Sequence, residues 1–132
     1  MKIHEYQARQ LLADEGVPVP PAEVVATADA ARAACESLGP RVVVKAQVFA
    51  GGRGKAGFVR LCDGPDQARD AAAFMLDNRM VSNQTGPEGI DVSKLLTVPT
   101  VEIEHEYYVG MVVDRARRAP VIMMSREGGV EI

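Results

Sequence analysis

Apolar residues recur along this chain with helical spacing in some stretches and with period two in others, and the changes between them outline the elements. From His4 to about Glu15, Ala8, Leu11 and Leu12 fall on one helical face, and Gly16 and Pro18 close the segment. Gly16-Val17-Pro18-Val19-Pro20-Pro21 then reads as a stiff connector, followed by a short strand at Glu23-Val24-Val25. Thr27 is a good N-cap for a helix in which Ala31, Ala34, Cys35 and Leu38 recur at helical spacing, and Gly39-Pro40 ends it. Arg41 to Gln47 and Phe58 to Cys62 read as two β-rich strands. Ala68, Ala71, Ala72, Met75 and Leu76 repeat the helical spacing after an Asp63-Gly64-Pro65 start signal. A polar loop from Ser82 to Ser93 follows. Glu102, Glu104 and Glu106 alternate with Val101, Ile103 and His105, which predicts three carboxylates on one strand face. The strand continues over Tyr107 to Val113, turns at Asp114-Arg115-Ala116-Arg117-Arg118 and returns over Pro120 to Ser125, a hairpin. The expected class is mixed α+β, with a small lobe up to about Thr100 and the start of another beyond it; no internal repeat or low-complexity segment interrupts the pattern.

Composition adds bounds rather than new elements. With 132 residues, 47% of them hydrophobic, one compact domain can bury a sizeable core. The formal charge of -3, the lack of tryptophan and only six Phe and Tyr together leave neither the basic field nor the stacking aromatics of a nucleic-acid binder. Cys35 and Cys62 have no metal-ligand spacing and no disulfide-rich background, which predicts reduced thiols and a cytoplasmic location. The N-terminus carries charge where a secretory leader needs its apolar segment, and no apolar run approaches the ~18 residues of a membrane helix.

The chemistry concentrates in Val44-Lys45-Ala46-Gln47-Val48-Phe49-Ala50-Gly51-Gly52-Arg53-Gly54-Lys55-Ala56-Gly57. A P-loop is excluded, because Phe49 stands where its first glycine belongs and Ala56 where its Ser or Thr belongs. Gly52, Gly54 and Gly57 fit G-x-G-x-x-G literally. That pattern should open a helix, however, and Phe58-Val59-Arg60-Leu61-Cys62 is strand-like. What remains is strand, glycine loop, strand: a flap that can lie over phosphates and present backbone N–H groups to them. Lys45 would aim a fixed charge at the same anion, with Arg53 and Lys55 adding mobile charge at the tip. The competing reading is a surface hairpin tip with solvated cations.

His4-Glu5-Tyr6-Gln7-Ala8, Val44-Lys45-Ala46-Gln47, the glycine loop, Asp114-Arg115 and Glu127-Gly128-Gly129-Val130-Glu131-Ile132 stand in order along the whole chain. Together they resemble the N-terminal part of the β subunit of succinyl-CoA synthetase, an ATP-grasp ligase whose two lobes hold a nucleotide between them. The resemblance implies residues 1–20 as N-terminal helix and connector, 21–100 as the small ATP-grasp lobe with its flap, and 101–132 as the first hairpin of the second lobe. It implies that Lys45 contacts the nucleotide phosphates, that Gly52, Arg53 and Gly54 form the covering loop, that Glu106 lies near the ribose hydroxyls and that Pro20 lies near the nucleotide. The implied reaction joins succinate to CoA with ATP or GTP and Mg²⁺, through a phosphohistidine on a partner α subunit. Metal ligands and the CoA-ligase domain are expected outside these residues, and the family chain is several times longer. Two positions depart from the family pattern: Val98 replaces a glutamate and Phe58 a glycine. A malate-CoA ligase or a non-catalytic nucleotide-binding or assembly module are the alternatives.

The other chemical candidates are weaker. Glu102, Glu104 and Glu106 could offer hard oxygens to a divalent metal but read better as a solvated face. His4 and His105 have no partner positioned by sequence for general-base or phosphoryl chemistry. Arg115, Arg117 and Arg118 read as a solvated turn, Met123 and Met124 as core and rim of a strand, and Cys62 as a buried thiol.

Overall fold

The computed structural model describes residues 2–128. Its elements are α1 (Glu5–Asp14), β1 (Glu23–Val25), α2 (Ala28–Leu38), β2 (Arg41–Ala46), β3 (Val59–Asp63), α3 (Pro65–Asp77), β4 (Leu95–Pro99), β5 (Tyr108–Asp114) and β6 (Ala119–Ser125). They fall into two compact units that divide between Thr100 and Val101.

In the first unit the sheet order is β1-β4-β2-β3, and each neighbouring pair is antiparallel. Strand β4 therefore lies between β1 and β2, and β2 between β3 and β4, so each of the two β-α-β connections steps over one strand. The side chains of β2 alternate. Val42, Val44 and Ala46 are fully buried on the helix-covered face, while Val43 and Lys45 are only half-buried on the other. Against the first set pack Ala31, Ala34 and Cys35 of α2 and Ala68, Ala71, Ala72 and Met75 of α3, with Phe58. The run of alanines lets the two helices approach the sheet and each other closely, and Met75 fills what the small residues leave. Local signals set the helix ends: Thr27 Oγ1 accepts from the Ala30 N–H at 3.1 Å, and Pro65 opens α3 behind Gly64 at φ 107. Arg60 lays its guanidinium 3.9 Å from the Phe74 ring centroid, sealing the edge of this core.

The second unit is an antiparallel ribbon, β5 with β6, running in register from Tyr108 opposite Ser125 to Asp114 opposite Ala119. Its turn is tied by Asp114 Oδ1, which accepts from the N–H groups of Ala116 and Arg117, and Arg118 takes the left-handed conformation at φ 52.

Strand β4 has no counterpart in the sequence reading and follows no alternation, because Leu95, Leu96, Thr97 and Val98 are all buried, as a strand covered on both faces must be. Three expectations change. Residues 101–107 form no strand, so Glu102, Glu104 and Glu106 share no strand face; they are exposed. The apolar face of α1 is not core, for α1 has no buried residue and Leu11 and Leu12 are about half exposed. Met123 and Met124 are exposed as well, because a two-stranded ribbon has no second layer to bury them. The C-terminal Gly129-Val130-Glu131-Ile132 of the glycine-containing motif lies outside the described residues.

Candidate functional site

Strand β2 delivers Lys45 to the sheet face opposite α2 and α3, directly across from Leu96 of β4 and Val59 of β3. That face is where α1 sits. Its first turn brings Glu5 within reach, and the Glu5 carboxylate contacts two cations at once: Lys45 Nζ lies 3.0 Å from Oε1 and Arg53 Nη2 lies 2.9 Å from Oε2. All three side chains are about three-quarters covered. Arg53 is fixed a second time, Nη1 donating to the carbonyl oxygen of Ala46 at 2.7 Å. The expected mobile tip charge is thus a folded-back one, because the loop turns Arg53 inward toward the Glu5 carboxylate.

The loop between β2 and β3 is built rather than slack. Ala56 N–H donates to Gly52 O, Gly57 N–H to Gly54 O and Phe58 N–H to Arg53 O at 2.8 to 3.1 Å, so residues 52–58 form a wound turn. Gly52 at φ 78 supplies the left-handed residue that starts it, and a Cβ there would sit 3.3 Å from that of Ser82. The neighbouring Gly51 N–H donates to Gln84 Oε1 at 2.8 Å, which pins the loop to the turn at 82–85. Lys55 and Gly54 lie on its exposed side.

Gln47, 4% exposed, ties loop and helix together. Its Oε1 accepts from the Tyr6 N–H at 3.1 Å, satisfying one of the donors that a helix N-terminus leaves open, while Nε2 donates to the carbonyls of Lys45 and Ala46. His4 caps the same end: its backbone N–H donates to Gln7 Oε1, and its ring stacks on Phe49 with centroids 4.0 Å apart. Burial, followed by the charges of Lys94 and Arg53, lowers the His4 pKa. For Glu5 burial pushes the pKa up, but Lys45 and Arg53 outweigh it and the net shift is downward. Glu5 is therefore an anion clamped between cations at neutral pH.

The remaining expected site residues are dispersed. Pro20 is exposed; its carbonyl oxygen accepts from Arg9 Nη2, and it lines a cavity of about 660 Å³ with Tyr6, Leu11, Val24 and Leu96, a cavity to which neither Lys45 nor the glycine loop contributes. Glu106 belongs to the second unit, exposed, with its carbonyl taking the Gly128 N–H. His105 Nε2 lies 3.0 Å from the carbonyl oxygen of Arg126. Cys62 and Cys35 are buried, and burial raises both thiol pKa values, so neither is poised as a thiolate. Phe58 fills the core beside Phe74 and Val98 is 7% exposed within β4, so both departures from the family pattern are apolar packing. Among the described residues no group of three or more His, Cys, Asp or Glu side chains could hold a metal ion. No helix among them is long and apolar enough to cross a membrane.

Sequence reasoning missed Glu5 and Gln47. Glu5 is the one acid in the first turn of α1, where a carboxylate already suits the positive end of the helix, and that made it look like an ordinary helix signal.

A family model described as the ATP-grasp domain matches residues 2–132. This chain belongs to the ATP-grasp family. Among curated relatives it is 46% identical over 132 residues to the β subunit of ADP-forming succinate–CoA ligase from Trichlorobacter lovleyi, covering all of this chain and 34% of that one. It is 46% identical to the GDP-forming counterpart from Thermus thermophilus, 33% of which it covers, and 49% identical over 133 residues to the ADP-forming one from Geobacillus thermodenitrificans. The chain thus spans about a third of the length of these relatives, their N-terminal part. The fold recurs in an acetyl-coenzyme A synthetase of Ca. Korarchaeum cryptofilum solved with coenzyme A, acetyl-coenzyme A and a phosphohistidine segment, with a TM-score of 0.69 and 19% identity over 92% of this chain and 51% of that one. The ATP-grasp assignment agrees with the α+β architecture of antiparallel sheet and two covering helices.

Proposed function

We propose that this chain is the phosphate-holding part of a nucleotide site in a succinate–CoA ligase β subunit, acting with an α subunit to convert ATP or GTP, succinate and CoA to succinyl-CoA, the nucleoside diphosphate and phosphate through a phosphohistidine on that partner. One observation carries the reading: Lys45 and Arg53, which enter from the end of a strand and from a glycine-rich loop, converge on a single carboxylate, so two cations stand a carboxylate's width apart where an anion of similar spacing can bridge them. In this reading Lys45 and Arg53 bind phosphate oxygens, and Gly52 and Gly54 let backbone approach the same group. The family resemblance would put Pro20 near the nucleotide and Glu106 near the ribose hydroxyls. Residues 1–20, 21–100 and 101–132 serve as helix and connector, small lobe, and the opening of the second lobe. Nucleotide would arrive as its Mg²⁺ complex; the described residues offer no ligand set for the metal, so no step is assigned to it here. The two free, buried cysteines suit a reducing cytoplasm.

The test is a chimera in which this chain replaces the corresponding N-terminal third of the Thermus thermophilus β subunit, assembled with that enzyme's α subunit. We expect succinyl-CoA formation. Lys45→Ala in the chimera removes a charge-assisted contact of roughly 1.5–3 kcal/mol and should weaken nucleotide binding about 10- to 150-fold by calorimetry. The 132-residue chain with α subunit alone should give no turnover. Unchanged affinity in Lys45→Ala would remove the phosphate role.

A further inference from the structure

The nucleotide reading leaves one charge unexplained. Both cations that would take phosphate are already engaged, and the group engaging them comes from a helix with no fully buried residue. Glu5 spends one oxygen on each cation, so its carboxylate lies along the line that a phosphate would need in order to bridge Lys45 and Arg53. Two positive charges and one negative leave the trio with a single net positive charge. In a setting three-quarters covered, a carboxylate beside an incoming polyanion is repelled more strongly than it would be in bulk water.

We propose that Glu5 is a resident stand-in for phosphate: it holds Lys45 and Arg53 in place while the site is empty, and a polyphosphate displaces it, releasing the first turn of α1. This rests on the nucleotide reading of Lys45 and deepens it by adding a competing group and a moving element. Three features suit the role. The two pairs are side chain to side chain, so they can exchange partners without breaking backbone structure. Arg53 keeps its bond to the Ala46 carbonyl when Glu5 leaves, so the cation stays at the site. The other ties of the helix end are the Tyr6 N–H on buried Gln47, the Lys94 ammonium on the Tyr6 hydroxyl and ring, and the His4 ring on Phe49, and no residue of α1 is itself fully buried, so no core side chain resists its departure. Glu5 thereby acts through Lys45 and Arg53 and is a positioning residue rather than a catalytic one.

The experiment titrates the 132-residue chain with inorganic tripolyphosphate and, separately, with MgATP, following backbone amide resonances of residues 51–57 and of α1, for the wild type, Glu5→Gln and Lys45→Ala. Removing the charge of Glu5 while keeping its size should tighten tripolyphosphate binding about 3- to 30-fold, the worth of two part-exposed ion pairs that no longer compete. In the wild type, ligand should also speed hydrogen exchange at the α1 amides, Tyr6 first, a readout that does not depend on the variant folding well. Equal or weaker binding by Glu5→Gln, or α1 amides that become more protected as ligand binds, overturns the stand-in role. If Lys45→Ala still weakens binding in that case, the nucleotide reading survives without it; if Lys45→Ala binds as the wild type does, both fall. An effect with MgATP but not with tripolyphosphate would place the displacement at the nucleoside and also overturn the proposal.

Discussion

At the scale of single residues, Glu5 and His4 tie the stability of the N-terminal turn to pH. Both pKa values are lowered in the folded chain, so between folded and unfolded values the unfolded chain binds the extra proton, and stability rises with pH. The contribution of His4 is present above its ordinary value of 6.5 and that of Glu5 above 4.5, and each is lost as pH falls through the lower folded value. Thermal melts should therefore show the wild type losing stability relative to Glu5→Gln as pH falls below the glutamate range; parallel curves for the two would mean that Lys45 and Arg53 do not hold the carboxylate. Thr97 makes a second case. It is fully buried in β4, and its hydroxyl is without a hydrogen-bond partner among the described residues. Thr97→Val keeps the shape and removes an unsatisfied polar atom, so it should stabilise the chain by about 1 kcal/mol, a rise in Tm of roughly 4–8 °C for a domain of this size. A lower Tm would show that the hydroxyl has a partner in solution.

At the scale of elements, legibility in the sequence followed how each element is covered. Helices α2 and α3 rest one face on the sheet, so Ala31, Ala34 and Cys35, and Ala68, Ala71 and Met75, announced themselves by helical spacing. Strands β2 and β3 were bounded by Gly39-Pro40 and by the glycine loop, and their ends lie within a residue of expectation. Strand β4 has no polar face to alternate with, which is why its central place in the sheet was invisible. Residues 101–107 mislead for the opposite reason: they alternate without a partner strand among the described residues, and alternation alone does not make a sheet. The glycine loop was legible as the connection between β2 and β3. Its anchoring was not, because that depends on Gln84 and Ser82, which stand far along the chain from Gly51 and Gly52. Pairing of Glu5 with Lys45 spans forty positions and could not be read from any local pattern.

At the scale of the whole molecule, the two units differ in what they can bury. The first holds the entire cluster of buried side chains, with two layers packed against each other. The second is a ribbon whose Val109, Met111, Val113, Ile122 and Met124 are all more than half exposed. A chain ending at Thr100 should therefore unfold cooperatively with a Tm close to that of the full 132 residues, while a peptide of residues 101–132 should show no melting transition by circular dichroism. Loss of the transition in the shorter chain would show that the ribbon contributes to the first core. Helix α1 adds a last consequence. It is joined to the sheet by a short proline-rich connector and held by ion pairs, a hydrogen bond and ring contacts, so on the stand-in proposal its docking is an intramolecular binding equilibrium governed by an effective concentration in the millimolar range. The protein thus carries its own weak ligand, and any competitor for that seat has to outbid a tether rather than a solvent.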